Sequence, residues 1–555
     1  MFSFNQDNRQ RDVFPLPLIN APFPIECIHN SRNSRRRRNQ KTHDVEVANE
    51  IVMSLNSLYG CSHVEASSEL IGCQHAAHSH ILQRATTHVA PALSLRKSPE
   101  EAYAALLGQS AVYGDGGPLK AYVKGLVSLP ESVAGSQCVT SVLDSGDQEI
   151  WLDFCSRVML SSQEYEEVLQ EEGLAGLYTD PSLTNTQKVY GDFLKDLHKR
   201  GMIEFGRSAV IELGIFFVEK KNGKLRMIVD ARRLNQRCKK PPSVSLASGD
   251  SLANLEIDPQ SVLHLAQADV ADCFHRMLLP QPLRCFFGLA GIEARYLGLT
   301  SLDGVPLGPT DRVVPRLCTL PMGFAWSLYF AQRAHEHVLQ TGSSCFREEL
   351  RLRDRKPQPD KVGDDPYHLQ YVDNLGIFGT DMKRTNKVKD LGKSLMDKVG
   401  LVMNEHEDAV GEDQEILGHV VRPFPAEIRL KPVRAWKLRQ AVKHLLKRRT
   451  VSGRFVEVLF GHFTYAFLLN RCMLSVFSSI YRFMRKAYVV AEPLWPSVRR
   501  ELEIAVGLLP LAAVSLSREW SSDVWATDAA PHGLGACKSV WHHRSVCEIG
   551  RVAER

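Results

Sequence analysis

Thirteen cysteines are spread over 555 residues without the paired spacing of a disulfide framework or a zinc ribbon. That excludes a small cross-linked secreted fold and fits a reducing compartment. The opening residues, MFSFNQDNRQRD, contain no apolar core of a signal peptide, so an intracellular protein, nuclear or cytoplasmic, is expected. Nor does any apolar run reach the roughly 18 residues of a membrane span. The most apolar long stretch, Phe455–Leu469, is shorter and carries Glu457 and His462. No sign of charge dominates either: the net charge is +5, so a nucleic-acid footprint must come from local clustering. A hydrophobic fraction of 44% is ordinary for a globular chain, and the length calls for three or more units.

What the chain does have centres on Leu369–Gly379, LQYVDNLGIFG. An apolar run breaks at Tyr371-Val372-Asp373-Asn374 and resumes with Leu375, Ile377 and Phe378. The pattern predicts two strands joined by a tight turn, with Asp373 and Asn374 at the tip and Gly376 easing the return. A carboxylate between apolar strands is costly unless something pairs with it, so the hairpin suits a divalent cation. Upstream, the apolar strand Val262–Ala268 runs into Asp269. Carboxylates from separate strands are what a two-metal phosphoryl-transfer site needs, its ions about 3.5–4 Å apart. Phe216–Asp230 reads as two alternating strands around Asn222-Gly223, with Lys220, Lys221, Lys224 and Arg226 at the tip and beyond. The plain reading is an edge hairpin protected by lysines. The functional one is a set of cations closing over a triphosphate.

Asp269-x-x-Asp272-x-Phe274, then Leu320-Pro321-Met322-Gly323-Phe324-Ala325-Trp326-Ser327, then Tyr371-Val372-Asp373-Asn374 resemble motifs A, B and C of reverse transcriptases. Order and spacing fit over about residues 185–520, best as a eukaryotic retroelement polymerase. The resemblance implies an α+β right-hand polymerase of fingers, palm and thumb with an antiparallel palm sheet. It further implies extension of a DNA or RNA primer on an RNA template with dNTPs. Asp269, Asp373 and Asn374 would be the catalytic set, with Asp269, Val270 and Asp373 holding Mg²⁺, or Mn²⁺ in its place. Arg226 and one of Lys220 or Lys221 would meet the triphosphate. Phe274 would exclude a ribose 2′-hydroxyl, while Met322 and Gly323 would face the nucleotide, Gly323 through close backbone approach. Asp230-Ala231-Arg232-Arg233-Leu234-Asn235 completes the signature. Two positions depart from it. Asn374 stands where many relatives have a second Asp; it keeps an oxygen for a metal but brings no charge. Met322 stands where Gln is frequent, keeping volume and losing a polar contact. In Gly400–Glu407, at the motif D position, no lysine is present. His406 is there either a substitute acid or an exposed turn histidine. Glu415–Val421 resembles motif E, which grips the primer.

Around these motifs, Asn185–Met202 is amphipathic on Val189, Phe193, Leu194 and Leu197. Leu283–Ala290 reads as a palm strand, Phe324–Leu339 as an apolar helix and Gly342–His368 as a charged surface insertion. Lys431–Arg449 is a basic helix with an apolar stripe of Ala435, Leu438, Val442 and Leu445; with Phe455–Leu469 it suits a thumb that tracks duplex phosphates. Val524–Ala530 and Gly533–Ala536 resemble the first hairpin of an RNase H domain. Asp528 is its one placed carboxylate, and no RNase H activity is expected of so truncated a segment. Residues 1–45, with Arg32, Arg35–Arg38 and Lys41, read as a disordered basic tail. Residues 46–184 carry short helical patterns (Val45–Leu58, Pro99–Leu107) and no assignable role. Cys61, His63, Cys73, His75, His78 and His80 lie close together but match no zinc spacing, so an ordinary His-rich helix is expected. Asp144-Ser145-Gly146 reads as a turn rather than an aspartic-protease half-site. The expected division is 185–425 for fingers and palm, 426–520 for thumb and connection, and 521–555 for the RNase H-like segment. Two alternatives stand beside the polymerase: a weakened or inactive nucleic-acid-binding remnant, and an RNA-directed RNA polymerase, which bulky Phe274 and the Asp269–Asp272 gap oppose.

Overall fold

The computed structural model describes residues 13–20, 32–61, 64–67, 70–89, 98–107, 119–220, 222–356, 365–530 and 533–552. At its centre lies a four-stranded antiparallel sheet ordered Tyr367–Tyr371, Asn374–Gly379, His264–Val270, Met403–Glu407. Successive side chains leave opposite faces of a strand, and here both faces are covered. Ala268, Leu375 and Ile377 enter the largest core, while Leu265, Leu369 and Phe378 enter a second one with Leu252, Ile416 and Ile428. Double burial explains the nearly unbroken apolar runs. Gly376 does not ease the turn as expected. It lies within the strand, where a Cβ would sit 2.5 Å from Ile416 Cδ1.

A seven-stranded sheet carries the Lys-rich hairpin, Glu212–Glu219 with Leu225–Asp230. It is braced from upstream. Leu119–Lys120 pairs with Phe217-Val218, and the N–H of Ser128 donates to the Leu225 carbonyl at 2.7 Å. The largest core therefore runs from Val133 to Met403. Its packing shows no break at residue 185. Trp151 meets Phe330 with ring centroids 4.5 Å apart, and Asp144 caps the helix Ser145–Leu152 instead of forming a plain turn.

Gln187–Lys199 buries Phe193, Leu194 and Leu197, but Val189 remains exposed. The basic helix spans Pro432–Leu445 and buries the expected stripe of Ala435, Leu438, Val442 and Leu445. The apolar run that follows is a helix over Gly453–Phe467, its Val456, Leu459, Phe463 and Phe467 in the same core. Among the described residues no single helix is long and apolar enough to cross a membrane.

Three further expectations are corrected. Leu283–Ala290 is mostly a 3₁₀ turn, Gln281–Phe286, followed by a two-residue strand, Gly288–Leu289; the N–H groups of Leu283 and Phe287 turn back to the Pro280 and Arg284 carbonyls, each at 3.0 Å, instead of joining a ladder. The region after Gly342 is not all surface, since Phe346, Leu350 and Leu352 are buried; residues 357–364 lie outside the described residues. The basic tail becomes helical at Arg32. One helix, Arg32–Tyr59, joins the arginine run to an apolar face of Val47, Ala48, Ile51 and Val52, which packs with Ala77, Ile81 and Ala85 of Gly72–Val89. Residues 1–12 and 21–31 are outside the description. In Gly72–Val89, His78 is buried and bonds the Pro17 carbonyl at 2.8 Å. Among the described residues no three Cys, His, Asp or Glu side chains gather to hold a metal, and His63 lies outside them.

Candidate nucleotidyl-transfer site

The two aspartates meet at one end of the central sheet. His264–Val270 continues through Asp269 rather than stopping before it, because ladders on both sides persist to that point. Asp269 stands opposite Asn374 across the ladder, and the N–H of Val270 donates to the Asp373 carbonyl at 2.9 Å. Only Val372 and Asp373 form the turn. Asn374 is already the first residue of the returning strand, paired with Tyr371. Its amide nitrogen donates to Asp373 Oδ1 at 2.9 Å. The three polar residues are half-exposed at the end of a sheet that is otherwise dry.

Neighbouring groups register the charge. Burial pushes the Cys273 thiol well up, and the Asp373 and Asp269 carboxylates push it further, so both fields converge on one buried sulfur. Burial also raises the Tyr371 phenol, with Asp373 adding to it. The oxygen donors of two carboxylates, an amide and the Val270 backbone carbonyl are those of a hard cation. Mg²⁺ takes one or two carboxylates and completes its shell with water and phosphate oxygens, so the residues fit.

Upstream of the turn, Phe274 occupies a 3₁₀ turn, Cys273–Arg276, half-buried against the largest core. Beside it His275 is held down to about 4, chiefly by burial; Asp272 opposes that shift and Lys220 adds to it. The imidazole thus places the Lys220 ammonium near the motif A segment. Lys220 Nζ bonds Ser128 Oγ at 3.0 Å. Arg226 is half-buried on the second strand of the hairpin, opposite Val218, and Lys221 lies outside the described residues.

The Met322-Gly323 turn is fastened to that same strand. The N–H of Val229 donates to the Met322 carbonyl at 2.9 Å, and Gly323 has φ +127° with its Cβ position 2.0 Å from the Val229 carbonyl oxygen. Only glycine tolerates both constraints. Asn235 brackets the turn, donating to the Gly323 carbonyl at 2.9 Å and accepting from the Ala325 N–H at 2.8 Å. This gives the last residue of the Asp230–Asn235 signature a structural task. Downstream, the expected motif D segment is a strand, Met403–Glu407, and His406 is exposed on it opposite Ala268. The segment expected as motif E forms the hairpin Gln414–Ile416/His419–Arg422, with Leu417 and Gly418 both at positive φ. Asp528 is exposed on the two-stranded sheet Asp523–Ala530/Gly533–Val540.

Residues missed in the sequence stand behind the turn. Val372 has φ +57°, a conformation that costs a β-branched residue on the order of 1–3 kcal/mol. From the helix Ala325–Gly342, Gln332 and His335 reach its two backbone polar groups. Their signal was present: Gln332, His335 and Glu336 interrupt the apolar face of a core helix, where polar groups require partners.

Residues 218–419 match the sequence family described as reverse transcriptase (RNA-dependent DNA polymerase). No curated protein matches the chain. Similar solved structures include a foamy viral protease–reverse transcriptase, dRH form, in complex with double-stranded DNA. That pair is 14% identical over 69% of this chain and 64% of the other, with a TM-score of 0.44. The foamy viral protease–reverse transcriptase with double-stranded DNA is 15% identical over 77% and 84%, with a TM-score of 0.42. The same protein with an RNA/DNA hybrid is 14% identical over 79% and 57%, with a TM-score of 0.41. The chain thus spans less than two thirds of the first and third of these. The matched segment is thus similar in sequence to reverse transcriptases, and the described residues mix helices and antiparallel sheets in an α+β fold.

Proposed function

We propose that the chain is an RNA-directed DNA polymerase of a retroelement, extending a primer on an RNA template with dNTPs. The observation that carries the reading is the register that puts Asp269 opposite Asn374 while Val270 bonds the Asp373 carbonyl. It sets a strand carboxylate, Asp269, beside a turn carboxylate, Asp373, at the open end of the sheet. The four-stranded sheet is then the palm, the seven-stranded sheet with its Lys-rich hairpin the fingers, and the helices Pro432–Leu445, Gly453–Phe467 and Pro496–Leu508 the thumb. The hairpin Asp523–Val540 begins the RNase H-like segment.

When bound, Mg²⁺ supplies Lewis acidity toward the primer 3′-hydroxyl and charge compensation for the pyrophosphate. Asp269, Val270 and Asp373 hold it. Lys220 and Arg226 bind the triphosphate, Met322-Gly323 faces the nucleotide, and Phe274 leaves no room for a 2′-hydroxyl. Asn374 brings no charge and turns its amide toward Asp373, which favours weak metal affinity. That observation supports the runner-up, a nucleic-acid-binding remnant.

Primer extension on an RNA template separates the readings. The polymerase extends with dNTPs and rejects NTPs. Phe274→Ala raises relative NTP incorporation by about tenfold or more, the scale on which a lost contact changes discrimination. Tight binding of primer–template without extension in Mg²⁺ or Mn²⁺ would leave the remnant. Equal use of NTPs by the wild type would contradict the gate.

A further inference from the structure

The turn before Asp373 is held in a way its own sequence does not favour. A two-residue hairpin turn needs positive φ, which Asn and Gly supply and Val resists. Yet Val372 sits at φ +57°. The conformation is therefore set by what touches it. The Val372 N–H donates to Gln332 Oε1 at 2.7 Å, and His335 Nδ1 meets the Val372 carbonyl at 3.0 Å. Since that carbonyl can only accept, the imidazole proton is on Nδ1. With the Val270 N–H on the Asp373 carbonyl, three consecutive backbone groups around the carboxylate are fixed.

The clamp has a defined polarity. Gln332 Nε2 donates to Glu336 Oε1 at 2.6 Å and to the Gln370 carbonyl at 3.1 Å, so the amide oxygen must face Val372. Glu336 is in turn held by Arg351 and by Arg333, the latter at 3.1 Å; Arg333 also bonds Asp147 at 2.6 Å. Gln332 is 0% exposed, His335 1% and Glu336 4%. Water does not compete with bonds this deep.

We propose that Gln332 and His335 are positioning residues for Asp373. They pin both polar groups of Val372 from the helix behind the sheet and so aim the Asp373 carboxylate at its ligand. The proposal rests on the reading of Asp373 as a metal-holding carboxylate. Groups that orient a metal ligand typically govern affinity or activity by about 10–100-fold without touching the ion.

The test compares wild type, Gln332→Met, His335→Leu, His335→Asn and Asp373→Ala. One readout is Mn²⁺ binding to the enzyme–primer–template complex, from the electron paramagnetic resonance of free Mn²⁺. The other is the single-turnover rate of nucleotide incorporation, beside primer–template affinity. Gln332→Met and His335→Leu should raise the half-saturating Mn²⁺ concentration about tenfold and slow incorporation comparably, with primer–template affinity retained. His335→Asn, whose amide N–H stands where Nδ1–H stood, should recover most of the loss. Wild-type Mn²⁺ affinity in both clamp variants would overturn the proposal, as would equal losses in His335→Asn and His335→Leu. Should Asp373→Ala itself leave Mn²⁺ binding intact, the metal-holding reading fails, and the positioning role with it.

Discussion

His335, His368, His419 and His462 are buried with neutral rings, and this ties stability to pH. Burial is the leading cause in each. It brings His335, His368 and His462 to about 4 and His419 to about 3, from an ordinary value near 6.5. The unfolded chain therefore takes up protons that the folded one refuses. Their contribution is complete above about pH 6.5 and drains away as pH falls toward 4, by up to about 1.4 kcal/mol per histidine per pH unit. The melting temperature should accordingly drop by many degrees between pH 7 and pH 5. A flat profile over that interval would contradict neutral burial. Apart from His335, which interrupts the apolar face of a helix, none of this was legible in the sequence. The aspartates were legible, because each ends an apolar run that only a strand explains.

At the scale of elements, the long helix Ala325–Gly342 and the strand Leu225–Asp230 are locked at Gly323, where the Val229 carbonyl leaves no space for a methyl. Gly323→Ala should cost at least about 3 kcal/mol, strain and overlap combined. Denaturant unfolding checks it, and a cost below about 0.5 kcal/mol would show that the turn can shift. The Lys-rich hairpin was readable from Asn222-Gly223 and its alternation, since both signals are local. Gly376 was misread because its need comes from Ile416, distant in sequence. The turn was expected with Asp373 and Asn374 at its tip; it falls one residue earlier, on Val372-Asp373. The positive φ of Val372 was not foreseen, because the groups that impose it, Gln332 and His335, lie on another element.

Across the whole molecule, the order of the motifs pointed to the segment that matches the reverse-transcriptase family, while the extent of the packed unit around it stayed hidden. Residues 119–184 contribute Val133, Val139, Trp151, Phe154 and Leu183 to the same core as the aspartate strands. Their partners are spread over later residues, so no local pattern could reveal them. Arg333 joins the two parts, bonding Asp147 at 2.6 Å and Glu336 at 3.1 Å. The N-terminal helix reaches the basic helix too: Glu50 pairs with Arg439 and, at 3.1 Å, with Lys443. Arg439 is buried in that pair, whereas Lys443 stays partly exposed. Everything converges on the end of the central sheet, and the claim stands or falls on whether Asp269 and Asp373 act there together. The most direct measurement is single-nucleotide incorporation in Mg²⁺ on an RNA template by wild type, Asp269→Asn and Asp373→Asn, with primer–template affinity determined alongside. Each variant should bind as the wild type does and incorporate about 1,000-fold more slowly or worse, the scale of losing a principal catalytic group. Incorporation within a few-fold of wild type in either variant would contradict the account.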